Sequence, residues 1–364
     1  MARVVVVGGG YGGASLARQL DADLDVVLVE PKDAFVHSSA ALRAVVDATW
    51  QDRVFFPYDC LLTRGHVVQD WARRVSSHRV TISPFESIDA DYLVLATGTA
   101  YPFPAKFLED ETDVVVARLA RMRAALARTE RVLLVGGGPV GLELAGELTS
   151  AFPHLHVMIV DMAADVLTAW DYLPELRDAV RGQLAERGVE ILTGAPLAYP
   201  PPVDVGVYAP FSVETTTHLR IDAQMWFRCY GARPMTDFLG EDLAAARRPD
   251  GHLRVTEHLT VVGQESVFAI GDITDLPEPK RASAAVDHAA VVAQNIRDLV
   301  DGRPMSARYT PGPERLVLGL GPDGGAAQVE QDGGLRVVVG PEETARIKGA
   351  DLYSTAVAEL FGRV

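Results

Sequence analysis

The sequence predicts an α/β fold with two Rossmann-like dinucleotide-binding domains and a small α+β domain at the C-terminal end. Two observations carry that reading: "VVVVGGGYGG" (residues 4–13) sets a glycine loop directly after an apolar run, and "VLLVGGGPVG" (residues 132–141) repeats it. A third is composition, since 364 residues, 48% hydrophobic and 23% charged, suffice for two or three cores in an ordinary globular chain.

In chain order, "RVVVV" (residues 3–7) is a continuous apolar run suited to a strand buried on both faces. Gly8, Gly10 and Gly13, with Tyr11 and Gly12 between them, satisfy GxGxxG, and "ASLARQL" follows as a helix. A second buried strand, "DVVLVE", ends at Glu30, roughly twenty residues past the first glycine, where an acid can accept from ribose hydroxyls. The glycines let backbone approach a pyrophosphate, which rests on the positive end of the helix. The second copy has the same parts: "RVLLV", Gly136, Gly138, Pro139, Val140 and Gly141, the helix "LELAGEL", and the strand "HVMIVD" ending at Asp161. Two complete units predict a bound FAD that receives electrons and a nicotinamide that supplies them. Asp161 accepts from a 2′-hydroxyl and repels a 2′-phosphate, and "MAAD" after it offers no cation, so NADH is expected over NADPH.

Composition narrows the partners. A net charge of −15 opposes nucleic acid and anionic lipid. Cys60 and Cys229 form no CxxC, so neither a disulfide framework nor a redox dithiol is indicated. His154 and His156 read as a turn before a strand, and no metal site is expected. No stretch reaches the roughly 20 apolar residues that cross a bilayer, and the first valines break into glycine too soon for a signal peptide, so a cytoplasmic protein is expected.

Two further strands run into short polar marks: "YLVLATGTAYPFP" (residues 92–104), with Ala96, Thr97 and Gly98, and "VFAIGDITD" (residues 267–275), with Gly271 and Asp272. Both resemble the corresponding segments of pyridine-nucleotide-dependent flavin reductases, glutathione-reductase-like two-domain flavoproteins. The resemblance implies that Asp272 hydrogen-bonds the flavin's ribityl chain. After it, Lys280 and Ala282 lead into a helix that Ser283 is expected to cap, its first turn facing the flavin pyrimidine.

With "PKDAFVHSSAALRA" (31–44), "ATGTAYPFPAKF" (96–107), "GGGPVGLELAGEL" (136–148), "AIGDITDLPEPK" (269–280) and "RIKGADLYST" (346–355), the chain resembles the ferroptosis suppressor and apoptosis-inducing-factor mitochondria-associated 2-like flavoproteins over nearly its whole length. The likeness to type II NADH dehydrogenases is looser. It implies reduction of a quinone-like acceptor by NAD(P)H through FAD, hydride passing from the nicotinamide to flavin N5 without a cysteine relay. Glu143 resembles the family acid that faces the nicotinamide, on the first turn of its helix, and Lys348 is expected beside the acceptor; these two are the candidate catalytic residues. Lys32, His37, Arg43 and Gly231 join the expected cofactor-binding set, and Glu147 is expected to be structural. The chain has four lysines against thirty arginines, all four in these segments. A compact ammonium suits a flavin carbonyl, phosphate or carboxylate, and Lys32, Lys280 and Lys348 are assigned function while Lys106 is read as a surface residue.

The flavin domain is expected to be discontinuous, residues 1–105 and 240–303, with a nicotinamide domain (106–239) inserted and a C-terminal domain (304–364). "PLAYPPPVDVGVYAPF" (196–211) reads as a loop or edge hairpin. "RLVLGLG", "AAQVE" and "LRVVVG" read as strands, and the last stretch puts Leu352, Val357, Leu360 and Phe361 on one helical face, to pack on its own sheet or in a homodimer, with at most peripheral membrane contact. Two alternatives stay open: a reductase for a ferredoxin or rubredoxin, and a slowly turning redox-responsive protein that holds flavin and NADH.

Overall fold

The computed structural model describes residues 1–331, 333–348 and 351–363. A five-stranded parallel sheet is formed by β1 (Arg3–Val7), β2 (Asp25–Val29), β3 (His66–Val68), β4 (Tyr92–Leu95) and β9 (Val267–Ala269), in the order β9-β4-β1-β2-β3. Between the fourth of these strands and the last, the chain builds a second parallel sheet from β5 (Arg131–Val135), β6 (His156–Val160), β7 (Glu190–Leu192) and β8 (Met225–Arg228), in the order β7-β6-β5-β8. Val4 to Val7 are buried as a continuous run because helices and loops cover both faces, which is what an unalternating valine strand requires.

Each sheet puts its glycine-loop strand inside: β1 lies between β2 and β4, β5 between β6 and β8. Helix α1 (Tyr11–Leu20) crosses from β1 to β2, and α4 (Pro139–Ala151) from β5 to β6. The registers correspond, Val4–Val7 beside Val26–Val29 and Val132–Val135 beside Val157–Val160. Between them in sequence come α2 (Ser38–Val46) and α3 (Thr112–Leu126); α5 (Pro174–Glu186) and α6 (Ala282–Val300) follow. Helix α6 packs on α1 through Ala285, Ala289, Val292 and Ile296, all buried. Its N-cap is Arg281, so Ser283 lies within the first turn and does not cap the helix; Arg281 already has the extended backbone a cap needs.

The proline-rich stretch is a loop entering an antiparallel hairpin, Phe211–Glu214 with Arg220–Ala223. Beyond α6, β10 (Leu316–Gly319), β11 (Gly325–Gln331) and β12 (Leu335–Val339) form an antiparallel sheet. Gln183 of α5 ties it down by accepting from Gly325 N–H (2.8 Å) and donating to Gly325 O (2.9 Å). Helices α7 (Pro341–Lys348) and α8 (Ser354–Leu360) end the chain. The apolar residues read from the last stretch divide: Leu352 joins the core that includes Leu318 and Ala326 of its own sheet, while Phe361, fully buried, enters an aromatic cluster of the first unit, with ring centroids 5.0 Å from Phe35 and 5.8 Å from Phe56 and Tyr58. Phe35 and Phe56 sit on the short paired strands Ala34–Val36 and Phe55–Pro57, and Tyr58 in the turn just after them, so the tail's ring packs into an aromatic pocket of the first unit. Among the described residues no helix is long and apolar enough to cross a membrane.

A buried ion pair joins the two units. Arg43 of α2 donates from Nε to Glu147 of α4 at 2.6 Å, both side chains under one-tenth exposed, and the guanidinium lies 5.0 Å over the Trp50 ring. Burial pushes the Glu147 carboxyl up despite Arg43. Glu147→Leu alone strands a buried cation and should cost about 3–5 kcal/mol, read as a lower Tm, while Arg43→Leu added to it should recover most of the loss. A double variant no better than the single one would contradict this.

Candidate functional site

The residues singled out in the sequence collect at the carboxyl ends of the two sheets, where ligands lie in open parallel folds. At the first, Gly8 has φ +102°, and its N–H donates to Val29 O (2.9 Å) while Ala96 N–H donates to Val7 O (2.8 Å). At the second, Gly136 has φ +116°, with Gly136 N–H to Val160 O and Cys229 N–H to Val135 O, both 2.8 Å. A β-carbon on Gly13 would stand 1.9 Å from Gly8 O, and one on Gly141 would stand 2.0 Å from Gly136 O, so only glycine lets each helix lie this close to its strand. At Gly10 and Gly138, by contrast, a β-carbon would meet nothing within 4 Å. Gly12 packs against Ala285 O of α6, Pro139 and Val140 open α4, and Gly231 follows β8 with φ +91° beside Arg228.

Both terminal acids reach back to their own loop. Glu30 accepts from Gly9 N–H (2.6 Å) and Lys32 N–H (3.1 Å), and burial raises its carboxyl against those bonds. Asp161 accepts from Gly137 N–H, and from Ala163 N–H at 2.7 Å. The Lys32 ammonium donates to Glu109 O at 2.6 Å. Tyr58, which no sequence motif marked, donates from its hydroxyl to Gly9 O at 2.9 Å. Its only signal was an aromatic in a segment without periodicity.

At the far end of the first sheet, Asp272 accepts from Thr99 Oγ1 (2.9 Å) and Lys106 Nζ (3.0 Å). Burial works to raise the Asp272 carboxyl, but Lys106 prevails and holds it below the ordinary range. Lys106 is therefore no plain surface residue: its ammonium also donates to Thr99 O at 3.1 Å and clamps the two post-strand turns together. Thr97 Oγ1 donates to Met235 O, Met235 N–H donates to Gly98 O at 3.0 Å, and Gly98 takes φ +62°. Gly271 N–H donates to His288 Nδ1 (2.9 Å), and Ala282 opens α6 just beyond. Lys280 closes its own turn by donating to Thr274 O (2.9 Å) and Leu276 O (3.0 Å).

The C-terminal tail brings the remaining residues together. Lys348 and Glu143 form an ion pair, neither more than one-fifth exposed, and Gly319 N–H donates to the same Glu143 oxygen at 3.3 Å. Glu143 opens the second turn of α4 rather than lying on its first, because the helix begins at Pro139. His37, almost wholly buried, lies between Tyr11 Oη (2.7 Å from Nδ1) and Leu352 O (2.8 Å from Nε2). Burial lowers its imidazole to about 4, so at neutral pH the ring is neutral, its Nδ1 accepting from the Tyr11 hydroxyl and its Nε2–H donating to Leu352 O. Cys229 packs beneath Gly136 and Gly141, its thiol pushed up to about 12 by burial, and Cys60 lies on the surface. Among the described residues no group of His, Cys, Asp and Glu has metal-holding geometry.

Comparison with known proteins agrees with this geometry. The chain is 31% identical over 333 residues to Ferroptosis suppressor protein 1 of Homo sapiens, covering 90% of this chain and 88% of that protein. It is 27% identical over 371 residues to Apoptosis-inducing factor homolog B of Dictyostelium discoideum, covering 96% and 94%. In fold it is similar to the sulfide:quinone oxidoreductase of Aquifex aeolicus, with a TM-score of 0.76 and 16% identity over all of this chain and 92% of that one. It is also similar to the water-forming NADH oxidase of Lactobacillus brevis, with a TM-score of 0.68 and 16% identity over 96% and 78%. The family model for pyridine nucleotide-disulphide oxidoreductases matches residues 2–289, and with it the chain belongs to that family, as an NAD(P)H-dependent flavin oxidoreductase.

Proposed function

We propose that this protein takes electrons from NADH through FAD and passes them to a quinone-like acceptor without a cysteine relay. The observation that carries the reading is the pair of open glycine cradles, identical in build. Where a β-carbon at Gly10 or Gly138 would stand there is free space, beside a helix N-terminus whose backbone N–H groups can take a pyrophosphate. The residues present therefore fit two dinucleotides. The first cradle, with Glu30, Lys32, Thr97 and Asp272, would hold FAD; the second, with Asp161, Gly231 and Glu143, would hold NADH. Bound there, the two supply a hydride donor and a hydride acceptor.

The chain's own part is placement and exclusion. Asp161 presents a carboxylate to the ribose, and the two arginines of α5 have partners of their own: Arg181 pairs with Asp165 at 2.6 Å, and Arg177 donates to Val166 O at 3.1 Å. Glu143, held by Lys348, orients the nicotinamide, and Lys348 stands where the tail meets the second helix, ready to meet charge that gathers on an acceptor. A thiol relay would need a thiolate, and Cys229 is buried and protonated. A quinone acceptor agrees with the ion pair's place at the tail and with the name of the similarly folded sulfide:quinone oxidoreductase of Aquifex aeolicus.

Two results test this. With a short-chain quinone, kcat/KM for NADH should exceed that for NADPH at least about tenfold, or ~1.4 kcal/mol, and Asp161→Ala should narrow the gap; equal values in the wild type would remove the role given to Asp161. Gly10→Ala should fold with an unchanged Tm yet lose FAD, whereas Gly138→Ala should keep FAD and raise KM for NADH; full activity in both would place the dinucleotides elsewhere.

A further inference from the structure

His288 lies in α6, only 1% exposed, and has no part in the proposed electron path. Its Nδ1 accepts the Gly271 N–H at 2.9 Å. A backbone amide can only donate, so Nδ1 carries no hydrogen and the ring's single hydrogen sits on Nε2. That atom faces Glu278 Oε1 at 2.9 Å, and Glu278, 2% exposed, must accept. The other Glu278 oxygen takes the Tyr309 hydroxyl at 2.6 Å, whose ring meets His288 edge-on with centroids 4.2 Å apart. Tyr309 is fixed in turn by its N–H, which donates to Glu257 O at 2.7 Å. The direction of each bond is thereby forced: Gly271 N–H donates to His288 Nδ1, and His288 Nε2–H and the Tyr309 hydroxyl both donate to Glu278. Burial opposes the charge on Glu278, yet the donors His288 and Tyr309 hold its carboxyl below the ordinary range.

Gly271 takes φ +72° and begins the short 3-10 turn Gly271–Ile273 that carries Asp272. Among the described residues, its N–H is the one backbone donor of that turn committed to a side chain from another element. We propose that His288 is a positioning residue for the flavin: by accepting the Gly271 N–H in the one tautomer that Glu278 and Tyr309 permit, it fixes the turn from which Asp272 meets the ribityl chain. The inference rests on the reading of Asp272 as a flavin contact. The network is a rigid support and moves no proton; its two buried polar members, His288 and Glu278, are each satisfied, and Gly271 and Tyr309 close it at its half-buried ends.

The test uses the full chain and FAD itself, following the FAD dissociation constant, the visible circular dichroism of the bound flavin and Tm. His288→Ala removes the acceptor and should weaken FAD at least tenfold with an altered flavin dichroism. His288→Asn places an amide oxygen where Nδ1 stood and should restore affinity to within about threefold of wild type, and the wild-type dichroism with it. A His288→Ala chain that binds FAD like wild type, or a folded His288→Asn chain as impaired as the alanine variant, would overturn the positioning role and leave the flavin reading intact. A wild-type chain that takes up no FAD would overturn the flavin reading and this inference with it. Should the alanine variant not fold, the asparagine variant decides alone.

Discussion

At each glycine loop the carbonyl of the first glycine, Gly8 or Gly136, occupies the place a β-carbon of the last, Gly13 or Gly141, would take. That contact between strand end and helix start sets everything else near it. It draws α1 and α4 onto their strands, so that their unpaired N–H groups open toward the sheet's carboxyl edge. It also leaves the middle glycines, Gly10 and Gly138, facing free space. Glu30 and Asp161 then stabilise the same loops from the neighbouring strand by accepting from Gly9 and Gly137. The acid proposed to meet a ribose is thus also a brace for the loop proposed to meet the phosphates.

Three attachments hold the structure, two between the units and one within the first, each with its own chemistry. Arg43 and Glu147 tie helix to helix through a buried ion pair. Lys106 ties the two post-strand turns of the first sheet through Thr99 and Asp272. The tail closes the third: Lys348 reaches Glu143 on the second loop's helix, while His37 and Phe361 fix the tail to the first unit. Leu352 and Tyr353 hold left-handed backbone, φ +49° and +68°, between these attachments. Such strain in two consecutive residues with side chains persists where surrounding contacts over-determine it, and here ion pair and aromatic cluster pull from both ends.

Much of this was legible in the sequence because its causes are local. Valine runs ending in glycine, and an acid at the end of the next strand, specify backbone geometry within one crossover unit. Asp272 was legible through the strand before it and the family segment it matches. What could not be read was pairing across long separations. Lys106 looked like a surface lysine because nothing near it in sequence shows that Asp272 stands beside it. Ser283 looked like a cap because capping residues are recognised by type, while Arg281 gains the position through backbone conformation alone. Tyr58, His288 and Phe361 belong to no short pattern, and their roles arise from burial against partners that topology brings together.

The most direct test of the account is an anaerobic titration of the purified, FAD-loaded protein with NADH, following the flavin's blue absorption band, before a short-chain quinone is added. The account predicts that the band bleaches at one equivalent and returns on addition of the quinone, because both cradles serve one electron path. A band that stays intact in the presence of bound NADH would contradict it, since the second cradle would then hold a nucleotide that delivers nothing to the first.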